Sequence, residues 1–138
     1  MSGSSVLADA EQSLRNADTT TALQQLQAQI RTQPGDARLR TFLFQLLAVR
    51  GDWQRALEQL TLAAQLDAET LLMAQTYREA VRCEALRAQV MAGQKSPMVV
   101  GEPEPWLGLL VESMLRAGRG EMAASKTLRE KAFDQAAP

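Results

Sequence analysis

The sequence predicts an all-α protein, about seven helices paired into hairpins and stacked as a short solenoid. Three observations predict it. First, residues 17–34 and 51–68 repeat one another 34 positions apart. Ala17-Asp18-Thr19-Thr20-Thr21-Ala22-Leu23-Gln24-Gln25-Leu26 lies over Gly51-Asp52-Trp53-Gln54-Arg55-Ala56-Leu57-Glu58-Gln59-Leu60, and Asp, Ala, Leu, Gln and Leu coincide without a gap. That period belongs to tetratricopeptide-like helical hairpins, in which each repeat buries its apolar face only against a neighbour. Second, 46% of residues are hydrophobic but only 4% aromatic, and a leucine- and alanine-rich interior suits closely packed helices better than a sheet. Third, apolar residues recur at helical spacing along most of the chain, punctuated by glycine and proline.

The elements follow in order. A first helix is expected from about Val6 to Asn16, with Val6, Ala10, Leu14 and Ala17 on one face. Thr19 or Thr20 is expected to cap the second, which turns Ala22, Leu23, Leu26 and Ile30 inward and stops before Gln33-Pro34-Gly35. Asp36 caps the third, Ala37–Arg50. Its Leu39, Phe42, Leu43, Leu46, Leu47 and Val49 cover most of the circumference, so it is buried on most sides. Thr41, Gln45 and Ala48 form its one remaining strip. In a hairpin solenoid the first helix of each hairpin lines the concave groove, and that strip falls there.

Gly51-Asp52 turns the chain into an outer helix, Trp53–Leu66. Asp67 caps a long fifth helix, about Ala68–Ala92, with a main stripe of Met73, Tyr77, Ala80, Val81, Ala88 and Met91 and a second patch of Leu72, Cys83, Leu86 and Val90. Residues 93–105 form a loop rich in proline and glycine. Its Met98-Val99-Val100 should not sit bare in water: it folds back onto the stack or serves as a contact strip. Pro105 opens a sixth helix, Trp106–Ala117, and Glu121–Ala136 makes the last. The organisation expected is one helical-repeat domain over 1–138, with hairpins at about 6–33, 37–67 and 106–136.

Composition excludes several functions. There is no histidine, so His-activated nucleophiles and imidazole metal sites are impossible within the chain. One cysteine forms no internal disulfide and points to a reducing compartment. A net charge of −1 provides no field for nucleic acid or anionic lipid. Asp9 and Glu11 stand where a signal peptide would be apolar, and no apolar run nears the ~20 residues that span a bilayer. The expectation is a cytoplasmic, non-enzymatic binding module, without cofactor, metal, nucleic acid or membrane as partner.

Four constellations carry two readings each. Tyr77–Arg87 is the densest charged segment: either a polar groove for a charged or amidic partner helix, or a solvated face on which Glu79–Arg82 offsets the like-charge pair Arg78–Arg82. Glu84 projects into an apolar stripe and is expected to find an arginine or become protonated; a partner-binding or chemical role is the alternative to a structural ion pair. Cys83 reads as a small buried hydrophobe rather than a nucleophile. Trp53 and Trp106 each open a helix beside a turn, as hairpin anchors or binding hot spots. The geometric choice of partner-binding residues is Thr41, Gln45, Gln75, Arg78, Glu79 and Arg82.

Four segments carry a more specific likeness: Arg38–Leu47, Gly51-Asp52-Trp53-Gln54-Arg55-Ala56-Leu57, Met73–Glu84, and Gly101-Glu102-Pro103-Glu104-Pro105-Trp106-Leu107. In that order the chain resembles the ImpE/TagJ (SciE) family, accessory proteins of bacterial type VI secretion systems. The resemblance covers about 34–138. It implies an adaptor that binds the N-terminal helix of the small contractile-sheath subunit (TssB/VipA). Through that contact it would be linked, directly or indirectly, to the ClpV ATPase that dismantles contracted sheath. Family members continue into a C-terminal domain that this chain lacks, as a truncated module or a short variant would. Self-association of the repeats as a scaffold, possible homo-oligomers included, is the alternative function.

Overall fold

A computed structural model describes residues 3–136 of the chain, and side chains from residue 7 onward. Among the described residues it is all-helical, with seven α-helices and one 3-10 turn: α1 Gly3–Arg15, α2 Thr19–Thr32, α3 Ala37–Val49, α4 Trp53–Leu66, the 3-10 turn Ala68–Thr70, α5 Leu71–Met91, α6 Pro105–Gly118 and α7 Met122–Gln135. The chain divides into two compact units, Met1–Arg82 and Cys83–Pro138. The division falls inside α5.

The first unit is built from the 34-residue echo. Each helix that opens a hairpin ends on a left-handed residue: Ala17 at φ 59° after α1, Gly51 at φ 75° after α3. Both ends make the same pair of backbone bonds. Asp18 N–H reaches Ser13 C=O at 2.9 Å and Ala17 N–H reaches Leu14 C=O at 2.9 Å; Asp52 N–H reaches Leu47 C=O at 2.9 Å and Gly51 N–H reaches Ala48 C=O at 3.0 Å. This double bond closes a helix on its own carbonyls and reverses the chain within two residues. An aspartate then starts the next helix, Asp18 by accepting from Thr21 N–H at 2.9 Å. The expected threonine caps do other work: Arg50 Nη1 donates to Thr19 Oγ1 at 2.7 Å, tying the end of α3 to the start of α2. Asp18, one residue earlier, takes the cap.

Packing follows the pattern. Ala22, Leu26 and Ile30 of α2 meet Leu39, Leu43, Phe44, Leu46 and Leu47 of α3, with Ala56 and Leu60 of α4 behind them. Leu47 and Leu60 are fully buried, each contributing roughly 1.5–3 kcal/mol of apolar transfer. Trp53 packs half-buried against this core, beside its turn. Val49 does not join the apolar circumference; in the last residue of α3 it is 78% exposed. The Val6 side chain lies outside the described residues.

The α5 stripe is narrower than its spacing suggests. Ala74 and Val81, seven residues apart, enter the core with Met73 partly covered, and Tyr77 sets its ring 6.0 Å from that of Phe44. Ala80, Ala88 and Met91 are exposed, as are Leu72, Cys83 and Leu86 of the second patch. Val81 of the main stripe and Val90 of the second patch are both buried, so α5 is covered on part of each face. Cys83, expected inside, is a free exposed thiol.

In the second unit, α6 and α7 pair closely because both carry small polar residues at the crossing. Ser113 Oγ, buried, donates to Ser125 C=O at 2.8 Å. Arg116 spans Glu112 at 2.7 Å and Glu121 at 2.6 Å, and these carboxylates hold its guanidinium well above the usual pKa. Pro105 opens α6 as the spacing requires, and Trp106 Nε1 donates to Glu104 at 2.8 Å. The end of α5 meets the end of α6 through two glycines: Gly93 is left-handed at φ 71°, and a Cβ on Gly118 would strike the backbone of Met91, Ala92 and Gly93. Arg119 Nε donates to Gly93 C=O at 2.9 Å across the same contact.

Candidate functional site: a groove between α1 and α3

The register that builds the hairpins also relates positions of α1 to positions of α3. Leu7 precedes Thr41 by 34 residues, and Glu11 precedes Gln45 by the same step. These four side chains, with Arg38, Phe42 and Thr70, line a pocket of about 440 Å³. Leu7 and Phe42 are half-buried and give it an apolar floor, while Glu11, Arg38 and Gln45 are exposed along it. From Arg38 to Gln45 the groove runs about 10 Å, two helical turns at 1.5 Å per residue. It is an open, elongated groove rather than an enclosed cavity.

Its polar groups differ in how they are satisfied. Arg38 sits 3.4 Å from Asp36. Burial pushes the Asp36 carboxyl up, but hydrogen bonds from the Arg38 side chain and backbone outweigh this and hold it below its usual value. Thr70 Oγ1 lies 2.9 Å from Ala63 C=O and 2.8 Å from Asp67 C=O, so it is occupied at the helix end. Among the described residues Thr41 Oγ1 is buried with no hydrogen-bond partner.

Two of the six residues chosen by helix geometry, Thr41 and Gln45, line this groove. The other four stand on α5 and do not line it. Gln75 is exposed, Arg78 half-buried, and Glu79 and Arg82 form an exposed ion pair at 2.7 Å. The local pairing read from spacing is thus formed on α5. Sequence reasoning passed over Leu7, Glu11, Arg38, Phe42 and Thr70. The signal that finds the first two is the repeat itself, because a step of 34 back from Thr41 and Gln45 lands on them.

Glu84 meets a single arginine, Arg87, whose Nε lies 3.0 Å away. That hydrogen bond holds the Glu84 carboxyl below its usual value, which keeps it ionised at neutral pH and unsuited to donate a proton. Among the described residues no group of three His, Cys, Asp or Glu side chains gathers as a metal cluster would, and no helix is long and apolar enough to cross a membrane.

Two further concavities differ in kind. One, of about 440 Å³, is lined by α4 alone along Gln54, Glu58, Leu62 and Gln65. The other, of about 450 Å³ in the second unit, is apolar and lined by Leu86, Val90, Met91, Met98 and Met114 among others. The Met98-Val99-Val100 strip does sit in water, with Met98 83% and Val100 93% exposed. Met98 nonetheless borders the apolar concavity of the second unit, beside Leu86, Val90 and Met114.

No family model matches the chain. Over 127 residues it is 47% identical to the type VI secretion system accessory component TagJ of Pseudomonas aeruginosa, an alignment that takes in 92% of this chain. Over that length the chain belongs to the ImpE/TagJ family. It spans about 45% of the length of that TagJ protein.

Proposed function

We propose that the chain is a non-enzymatic adaptor of a bacterial type VI secretion system, acting in the cytoplasm. Its groove between α1 and α3 takes the N-terminal helix of the small contractile-sheath subunit (TssB/VipA). By holding that helix it links the sheath subunit to ClpV-dependent disassembly. The likeness to TagJ supports the secretion role, since that relative is an accessory component of such a system.

The observation that carries the binding mode is the groove's composition. Leu7 and Phe42 supply apolar anchors, and Glu11, Arg38 and Gln45 border them. That is the arrangement by which a groove takes an amphipathic helix: affinity from buried apolar residues, register from a few polar ones. Titration of the full chain with a peptide spanning the sheath subunit's N-terminal helix tests it. Saturable binding of the peptide, lost when its apolar face is replaced by serine, is the expected result. Absence of any heat or shift at high micromolar peptide would overturn it.

A second reading is self-association as a scaffold, favoured by the exposed Met98 and Val100 of the second unit. Light scattering at high protein concentration separates the two: a mass of one chain counts against the scaffold.

A further inference from the structure

We propose that Thr41 is the specificity-determining residue of the α1–α3 groove, reading a neutral hydrogen-bonding side chain, an amide or a hydroxyl, on the partner helix. This rests on the helix-binding reading above and adds to it the chemistry the partner must carry. Its basis is the state of the Thr41 hydroxyl. Among the described residues Oγ1 is buried and has no partner, although the residue lines the groove. A buried hydroxyl without a hydrogen bond costs free energy that valine, of nearly the same shape, would avoid. The fold of the free chain therefore gives no reason for a hydroxyl here.

Binding supplies one. Threonine in a helix divides between two χ1 wells, and rotation from one to another exchanges positions among the γ substituents. The hydroxyl can thereby be turned toward the groove, where a partner's donor or acceptor satisfies it. Gln45 stands one turn further along the same face, about 6 Å on, and its exposed amide borders the same pocket. The pair forms a short polar ladder beside the apolar floor of Leu7 and Phe42. A charged partner group is disfavoured opposite Thr41, because a hydroxyl alone does not repay the desolvation of an ion. The charges of Glu11 and Arg38 lie instead on opposite walls of the groove, where exposed ionic contacts to a partner helix remain solvated.

The test uses the full chain and the sheath-subunit peptide, with melting curves on each variant. Thr41→Val is expected to keep or raise Tm while weakening peptide binding roughly five- to tenfold, the worth of one hydrogen bond. Thr41→Ser, which keeps the hydroxyl, is expected to bind within about twofold of wild type on the same ground. Replacing each polar residue on the peptide's groove face by an apolar isostere should identify one position whose cost vanishes in the Thr41→Val background. If wild type binds and Thr41→Val binds equally well or more tightly, Thr41 is not the reading residue and the helix-binding account survives. If Thr41→Val binds weakly but also melts lower, the hydroxyl is structural and the proposal fails. If wild type does not bind the peptide at all, the helix-binding reading itself falls, and this one with it.

Discussion

Ala17 and Gly51 occupy the same left-handed backbone position, 34 residues apart, at φ 59° and 75°. Each ends the first helix of its hairpin with the same two backbone bonds, and each is followed by an aspartate. Only the second position carries the residue that the conformation favours. An L-residue with a Cβ pays about 1–2 kcal/mol in this region, so Ala17→Gly should stabilise the protein by about 1 kcal/mol. Gly51→Ala, in open space, should destabilise it by a similar amount. Urea midpoints read both, and equal shifts of one sign for the two variants would contradict the account.

Gly118 is bound by contact rather than conformation. A methyl there meets the backbone of Met91, Ala92 and Gly93, and backbone cannot swing aside. Gly118→Ala should cost about 1–3 kcal/mol, as overpacking does. The effect belongs to the second unit. Each unit carries one tryptophan, Trp53 and Trp106, so in a Trp53→Phe background the fluorescence of Trp106 reports on the second alone. An unchanged Trp106 transition would show that the two helix ends do not touch.

Asp18 and Asp36 begin α2 and α3, each accepting a backbone N–H at 2.9 Å. Both carboxyls titrate below their ordinary value of 3.8. A depressed folded pKa contributes stability that is fully present above the unfolded value and is lost as pH falls through the folded one. The helix starts should therefore be insensitive to pH from 5 to 8 and weaken only below about 4. Asparagine also caps helices well, so an Asp18→Asn, Asp36→Asn double variant isolates the charge. Its urea midpoint should fall below wild type at pH 6 and approach it at pH 2.5. A gap that widens on acidification would reverse the sign and refute the assignment.

Cys83 is expected to react with one equivalent of an aromatic disulfide reagent in the native protein, without denaturant. The thiol is exposed on α5. Protection until the chain unfolds would place it inside.

The fate of Cys83 shows where sequence pattern stops. The hairpins of the first unit were legible because their core residues repeat in register: Leu26 and Leu60 are copies of one position, and both are buried. Helix α4 has the predicted bounds, Trp53–Leu66. Along α5 the register yields no second copy to compare, and apolar residues lie on more than one face. Spacing alone then cannot say that Ala74 is buried while Ala80, Leu72 and Cys83 face water, since that depends on which seam a neighbour covers. The groove was half legible for the same reason. Thr41 and Gln45 stood out as the polar strip of an apolar helix, whereas Leu7 and Glu11 gain their role only when α1 is laid beside α3.

The central claim is that a partner helix lies in that groove. Amide chemical shifts of the labelled full chain, followed during titration with the sheath-subunit peptide, test it most directly. The account predicts perturbations along α1 and α3 around Leu7, Glu11, Thr41 and Gln45 and at Thr70, with the outer face of α4 around Glu58 unmoved. Perturbations centred on α4 or on the Met98–Val100 strip, or none with saturating peptide, would contradict it.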